Sequence, residues 1–431
     1  MRIVIDFVYL LAVVAISPVA IYRVIRHKRY RTGWAQRLGK IARRCPARKC
    51  IWLHAVSVGE VNSTKSIVEE LENRFGDFEI VISSTTDTGF ARANTLFGTR
   101  HTVVYFPFDF SWIMKRAFRN IRPSICLFME LEVWPNLVQI ARRLGVPVVV
   151  INGRMSDKSF SRYSKIKPIA KRIFQNVSLV LAQTDEYAQR FRGIGVSDER
   201  VIVTGSLKYD TAQITDRIDG ADALAAQLNI GDGRLWVAGG TGPGEEKIIL
   251  NVFKDLTELE QFSDLRLVIV PRKPERFDEV AQVIGDAGFD FVRYSAVKNT
   301  DERKSDKSSV ILGDTMGDLR KFYSLATIIF VGRSLVPMGG SDMMEAAALG
   351  KCTIFGPHAS NFKQTVDVLL KGEGAIMVED RNQLLETMRK CLTEPDFAKR
   401  IAQNGREVIR KNQGATRKTI DQIAKFLNAG L

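Results

Sequence analysis

A chain of 431 residues is longer than one hydrophobic core usually supports, so two domains are expected, and 45% hydrophobic with 26% charged residues marks a globular protein with ample core material. The 63 Lys and Arg against 48 Asp and Glu leave a net charge of +15, which points to an anionic partner: phospholipid, nucleic acid or a phosphorylated substrate. Five cysteines, an odd number without metal-ligand spacing, indicate a reducing compartment, and Cys45 and Cys50 have no partnering Cys or His pair that would make a zinc site.

Residues 4–24 are nearly continuous apolar sequence, long enough to cross a bilayer, although Asp6, Pro18 and Arg23 shorten the clean core. Eleven basic residues follow: Arg23, Arg26, Lys28, Arg29, Arg31, Arg37, Lys40, Arg43, Arg44, Arg48 and Lys49, with no acidic residue from 7 to 59. This is the pattern of an anchor, assigned to residues 1–27, whose carboxyl side stays in the cytoplasm against acidic headgroups; it either spans or lies in the interface. A cleaved signal peptide would carry its positive charge before the apolar stretch. Nucleic-acid binding is not expected, because the densest basic cluster sits beside the anchor.

Strand-like runs follow at 50–56, 78–83, 102–106, 125–129, 146–151, 179–182 and 201–204, separated by helical stretches. A polar stretch at 210–234 interrupts the rhythm, which resumes at 235–238, 265–270, 289–294, 310–312, 327–331 and 353–355 before a helix-rich tail. The alternation predicts an α/β protein with parallel, doubly wound sheets in two domains, 28–212 and 213–410, and a terminal helix at 411–431. Residues 297–309 read as a mobile polar loop.

The first run breaks at Gly59 and delivers Glu60 to the start of a helix expected over 61–75. A helix amino terminus favours an ionised carboxylate, so Glu60 is a candidate general base; the alternative is that it only caps the helix. Gly313-Asp314-Thr315-Met316-Gly317-Asp318 follows a strand and opens a helix, where free N–H groups can bind phosphate, and Gly339-Gly340-Ser341-Asp342-Met343-Met344-Glu345 repeats the arrangement with Glu345 able to reach ribose hydroxyls. Neither matches a P-loop or a dinucleotide fingerprint.

Seven motifs in order carry a more specific signal. They are His-Ala-Val-Ser-Val-Gly-Glu at 54–60, Met-Glu-Leu-Glu-Val-Trp-Pro-Asn at 129–136, Asn-Gly-Arg-Met-Ser at 152–156, Thr-Gly-Ser-Leu-Lys-Tyr-Asp at 204–210, Pro-Arg-Lys-Pro-Glu-Arg-Phe at 271–277, the stretch 313–319, and Gly-Pro-His at 356–358 with Asn361-Phe362. Together they resemble the 3-deoxy-D-manno-octulosonic acid (Kdo) transferases of Gram-negative bacteria. The resemblance implies a GT-B glycosyltransferase fold of two facing Rossmann-like domains and an inverting transfer of Kdo from CMP-Kdo to a lipid A precursor, lipid IVA, in lipopolysaccharide biosynthesis. It further implies no metal ion or other cofactor, and work at the cytoplasmic face of the inner membrane on anionic phospholipid.

Residue by residue, the resemblance makes Glu60 the base and gives importance to Glu130, with His54, Ser57, Gly59, Arg154, Ser206 and Lys208 on the acceptor or sugar side. Arg272, Met316, Gly317, Asp318, Ser341, Asp342 and Glu345 fall on the nucleotide side. The chain departs from the family pattern where Ser341 and Asp342 replace a His-Asn pair, Arg333 stands in place of a Gly, and Gly242 replaces a His. Arg333 is expected to pair with Asp342 or to bind the phosphate itself. The rival readings are a GT-B transferase using another nucleotide sugar and a non-catalytic lipopolysaccharide-binding protein.

Overall fold

The computed structural model describes residues 5–15, 17, 32–231, 233–298 and 309–428. Most of the expected anchor exit, including Arg23, Arg26, Lys28, Arg29 and Arg31, and most of the expected loop 297–309 lie outside the described residues. The chain divides into two compact units, one of residues 1–211 with 413–431 and one of residues 212–412.

Seven parallel strands form the first unit: β1 (Cys50–His54), β2 (Glu79–Ser84), β3 (Thr102–Tyr105), β4 (Ile125–Met129), β5 (Val148–Gly153), β6 (Leu179–Ala182) and β7 (Val201–Val203), in the order β3-β2-β1-β4-β5-β6-β7. Leu53 pairs with Ile82 on one side and Leu127 on the other. Alternate residues feed two cores, Trp52, Phe128, Val150 and Val180 on one face and Leu53, Leu127, Met129 and Val149 on the other. Because helices cover both faces, the strands read as continuous apolar runs rather than alternating ones.

The second unit repeats the plan with β8 (Leu235–Thr241), β9 (Arg266–Pro271), β10 (Phe291–Arg293), β11 (Val310–Leu312), β12 (Ile328–Val331), β13 (Cys352–Phe355) and β14 (Ile376–Met377), ordered β10-β11-β9-β8-β12-β13-β14. In such sheets the strand order reverses beside the first strand, and ligands bind beyond the strand carboxyl ends there. That place falls between β1 and β4 in the first unit and between β8 and β12 in the second. The two-residue β14 has no counterpart among the expected strands, being too short to leave a pattern.

Three expectations change. The helix expected over 61–75 is two helices, Val58–Ser63 and Lys65–Arg74. Between them the Thr64 hydroxyl donates to Val61 O at 2.7 Å and the Ser63 hydroxyl to Gly59 O at 3.0 Å, side-chain bonds that compete with a continuous helix. The first strand ends at His54, and Gly59 lies inside the helical turn that follows. The terminal helix Ala415–Asn428 belongs to the first unit, where Ala415, Ile420, Ile423 and Leu427 join its core and the Asp210 carboxylate accepts from the Gly414 and Thr416 N–H groups.

Within the basic stretch 37–49, Arg37, Arg43 and Arg44 bond into the unit, while Lys40, Arg44, Arg48 and Lys49 are exposed. Arg43 donates to Glu79 at 2.9 Å with both side chains buried, and its guanidinium also reaches Ile121 O, Cys45 O and Arg48 O. Arg44 donates to Thr99 O and Gly98 O, and the buried Arg37 lies 4.2 Å over the Tyr105 ring while donating to Thr85 O. Burial alone would raise the Glu79 carboxyl, but hydrogen bonds from Thr102, Arg43 and the Arg44 and Cys45 N–H groups hold it below its usual range.

Among the described residues no helix is long and apolar enough to cross a membrane, and residues 16 and 18–24 of the expected anchor lie outside them. Residues 5–15 are helical with the usual polarity reversed. Phe7, Val8, Leu10, Leu11, Val13 and Val14 are each more than half exposed, while Asp6 and Tyr9 make the hydrogen bonds to the rest of the unit.

Candidate active site

The first unit gathers three carboxylates at its reversal point. After β1, Ser57 caps the helix Val58–Ser63 by accepting from Glu60 N at 3.3 Å, and Glu60 answers by accepting from the Ser57 hydroxyl at 2.9 Å and Val56 N at 3.0 Å. This reciprocal cap satisfies free backbone donors and fixes the Glu60 side chain at the strand end. The capping alternative and the candidate base are therefore the same geometry. A Cβ on Gly59 would meet nothing nearer than Ser57 Oγ at 3.9 Å, so the surface beside Glu60 is open.

After β4 the chain turns through Glu130 at φ +54°, a left-handed conformation uncommon outside glycine that concentrates at functional turns. Burial raises the Glu130 carboxyl, the charge of Glu60 raises it further, and Arg154 and Lys208 pull it back. Glu132, two residues on, was not singled out in the sequence. Its carboxyl is pushed up to about 7 by burial and then by Glu60, against the hydrogen bond that Trp134 Nε1 donates at 3.0 Å. The signal that could have found it is the Glu-x-Glu spacing itself: in a turn both side chains land near the same strand end, so like charges meet.

His54 is fully buried, stacked on Phe106 with ring centroids 3.9 Å apart. Its Nδ1 lies 2.9 Å from Ser83 O, which sets the proton on that nitrogen and leaves Nε2 without a hydrogen bond 4.0 Å from Glu132 Oε2. Burial lowers its pKa to about 3, so the ring is neutral and backs the acidic turn rather than lining the surface. Ser206 is buried at the start of the helix Leu207–Asp210, whereas Arg154 and Lys208 are exposed cations that interact with Glu130.

The second unit places its sequence-predicted residues around the ends of β8, β9, β11 and β12. Arg272 is exposed just after β9, and its N–H donates to Thr241 O at 3.1 Å. Met316 is exposed, and Gly317 has φ +90° with nothing within 4 Å of a Cβ. Asp318 is buried and engaged: it accepts from Thr315, Lys298 and Lys321, which outweigh burial and bring its carboxyl down to about 2. Its side chain is therefore held inside the unit. Ser341 donates to Gly240 O at 3.0 Å, and Asp342 accepts from Met344 N at 2.9 Å. Burial raises the Glu345 carboxyl, Asp342 adds to the rise, and Arg320 and Arg272 oppose it.

The two departures at 242 and 333 are one packing event. A Cβ on Gly242 would meet Met338 Sδ at 2.6 Å and Arg333 Cγ at 3.0 Å, so Arg333 and Met338 occupy the room of a larger residue there. Arg333 itself sits at φ +59° and donates to Met338 O at 3.0 Å, while its N–H and those of Ser334, Leu335 and Gly242 converge on the buried Glu245 carboxylate. Glu245 thus holds the loop that carries Arg333 at the β8/β12 reversal point. Among the described residues no group of three His, Cys, Asp or Glu side chains is placed to hold a metal ion.

The family profile described as 3-deoxy-D-manno-octulosonic-acid transferase (kdotransferase) matches residues 32–211. The 3-deoxy-D-manno-octulosonic acid transferase of Haemophilus influenzae is 32% identical over 408 residues, covering 94% of this chain and 93% of its own length. The enzyme of the same name from Bordetella pertussis is 31% identical over 443 residues, covering 97% and 99%. Among solved structures, a glycosyltransferase from Rickettsia africae superposes with a TM-score of 0.56 at 13% identity, covering 88% of this chain and 99% of that one. A UDP-GlcNAc 2-epimerase from Neisseria meningitidis gives 0.55 at 14% identity, covering 88% and 100%. These likenesses show the GT-B-like α/β fold. With two relatives above 30% identity along almost their full length, the chain belongs to the 3-deoxy-D-manno-octulosonic acid transferase family of glycosyltransferases.

Proposed function

We propose that this enzyme transfers Kdo from CMP-Kdo to a lipid A precursor of the lipid IVA type with inversion, Glu60 serving as general base. The observation that carries the reading is the acidic turn at the β1/β4 reversal point of a chain belonging to this family: Glu60 pinned by its cap, with Glu130 and Glu132 beside it. Inverting transfer needs a base on the acceptor hydroxyl and stabilisation of the phosphate that leaves on the opposite face.

In this reading Glu60 takes the hydroxyl proton as positive charge develops on the sugar, with Glu130 and Glu132 beside it. Arg154 and Lys208, exposed beside Glu130, suit the anionic groups of the acceptor. On the donor side Arg272 and the backbone N–H groups at Met316, Gly317 and Ser341 suit the CMP phosphate, and Glu345 suits the ribose hydroxyls. Asp318 and Asp342 shape these loops through their own hydrogen bonds.

The outward apolar residues of the helix at 5–15 support attachment at the cytoplasmic surface of an anionic inner membrane, as an interfacial helix rather than a spanning one. Trp34 and Trp112 are each half exposed, and tryptophan is the side-chain type enriched at bilayer interfaces. The test is a transfer assay with labelled CMP-Kdo generated in situ and a tetraacyl lipid A precursor, paired with thermal shifts in CMP and UDP. Label in lipid and a shift with CMP alone are expected; a shift with UDP alone and no labelled lipid would overturn the donor assignment.

A further inference from the structure

The inward face of the N-terminal helix bonds to the segment 109–111 and to Asn136, at the start of the helix Pro135–Arg143 that follows the acidic turn. Asp6 accepts from Ser111 N and from the Ser111 hydroxyl, and so caps the helix Ser111–Ile121, whose own cap residue Phe110 supplies no side-chain bond. The same carboxylate accepts from Asn136 Nδ2 at 2.9 Å. Three residues along, Tyr9 packs edge-on against Phe110 and donates to Asp109 Oδ2 at 3.0 Å. Asp109 is 6% exposed and accepts from the N–H groups of Asn136 at 2.9 Å and Leu137 at 2.8 Å. It thereby caps the helix Pro135–Arg143, which has no side-chain cap of its own. Asn136 closes the loop by donating to Asp109 O.

That helix starts directly after the turn bearing Glu130, Glu132 and Trp134. The turn is short and strained: β4 ends at Met129, Glu130 has φ +54°, and the helix begins at Pro135. One end of the turn is fixed by the sheet. The other runs into the helix, whose Leu137 and Val138 are buried in the core and whose first-turn Asn136 is held by Asp109 and Asp6, with Tyr9 bonding Asp109 in turn.

We propose that Asp6 and Tyr9 are positioning residues: they latch the N-terminal helix to the start of the helix Pro135–Arg143 and so hold Glu130 and Glu132 in register with Glu60. The role assigned to the acidic turn rests on the function proposed above, but the latch itself is a mechanical claim that can be tested apart from it.

The experiment compares the full-length enzyme with Asp6→Ala, Tyr9→Phe and Asp6→Asn variants. An asparagine in place of Asp6 still accepts from Ser111 N and Asn136 Nδ2 and can donate to the Ser111 hydroxyl. Turnover is measured on a tetraacyl acceptor dispersed in detergent, where membrane capture plays no part, and hydrogen exchange is followed over 130–137. Asp6→Ala and Tyr9→Phe are expected to lower kcat about tenfold, the scale of one lost charge-assisted hydrogen bond. KM for donor should stay unchanged and exchange over 130–137 should accelerate, while Asp6→Asn, which keeps the bonds without the charge, should recover much of kcat and of the protection. Unchanged exchange in Asp6→Ala would overturn the latch whatever the activity. If the wild type transfers no Kdo, the proposed function fails and exchange alone decides the latch. Faster exchange with unaltered kcat would overturn the positioning role.

Discussion

Replacing Glu132 by glutamine should stabilise the first unit at alkaline pH and leave it nearly unchanged in acid. The Glu132 carboxyl moves from its ordinary 4.5 up to about 7, first through burial and then through the charge of Glu60. Between those values the folded protein holds a proton that the unfolded chain has released, so stability is greatest below pH 4.5 and falls as pH rises through 7. At 1.36 kcal/mol per pH unit the loss approaches about 3 kcal/mol, an upper figure because Glu60 and Glu130 share it. The substituted amide keeps an acceptor for Trp134 Nε1 and carries no charge, so the variant escapes that cost. Four of the five tryptophans, Trp34, Trp52, Trp112 and Trp134, lie in the first unit, so tryptophan fluorescence reports mainly its melting. At about 2–4 °C per kcal/mol for a unit of this size, the variant should melt roughly 6–12 °C above wild type at pH 8.5 and within about 2 °C of it at pH 4.5. Equal offsets at both pH values would refute the reasoning. Turnover should fall in the same variant, since a destabilised acidic turn is where stability is given up for function.

Glu60→Gln should lower turnover by about two to four orders of magnitude with CMP affinity intact; near wild-type turnover would move the base to Glu130. Arg43→Met should cost about 3–5 kcal/mol in urea unfolding, because it strands the buried Glu79 carboxylate, while vesicle binding per folded molecule stays the same. Lost vesicle binding without lost stability would return Arg43 to the membrane. Gly242→His should cost about 1–3 kcal/mol by overpacking against Met338 and Arg333, and adding Arg333→Gly should recover most of it. An equal cost in both backgrounds would separate the two departures.

Much of the fold was legible because parallel strands buried on both faces announce themselves as local apolar runs, as in Ile125–Met129 and Val310–Leu312. The end of β4, and with it the place of Glu130, follows from the same kind of run, whereas β1 stops at His54, two residues before its apolar run does. The helix break at Thr64 was not legible, since Ser63 and Thr64 fit a helix pattern until their hydroxyls choose backbone acceptors. Glu132 was missed because its environment is made by Glu60, from a different strand end, and by burial that no window of sequence contains.

By itself the sequence determined the α/β class, the two-sheet plan and the family, because apolar runs and motifs are each written in short local stretches. Only the tertiary structure decided what the charges are for. Arg43 serves Glu79 across 36 positions, Asp6 serves Asn136 across 130, and Asp210 draws the last helix back to the first unit across 204. The physical reason is that a charge is assigned its role by whichever partner burial brings to it. Arg37, Arg43 and Arg44 read as part of one basic run until folding places Thr85, Glu79 and Gly98 within their reach.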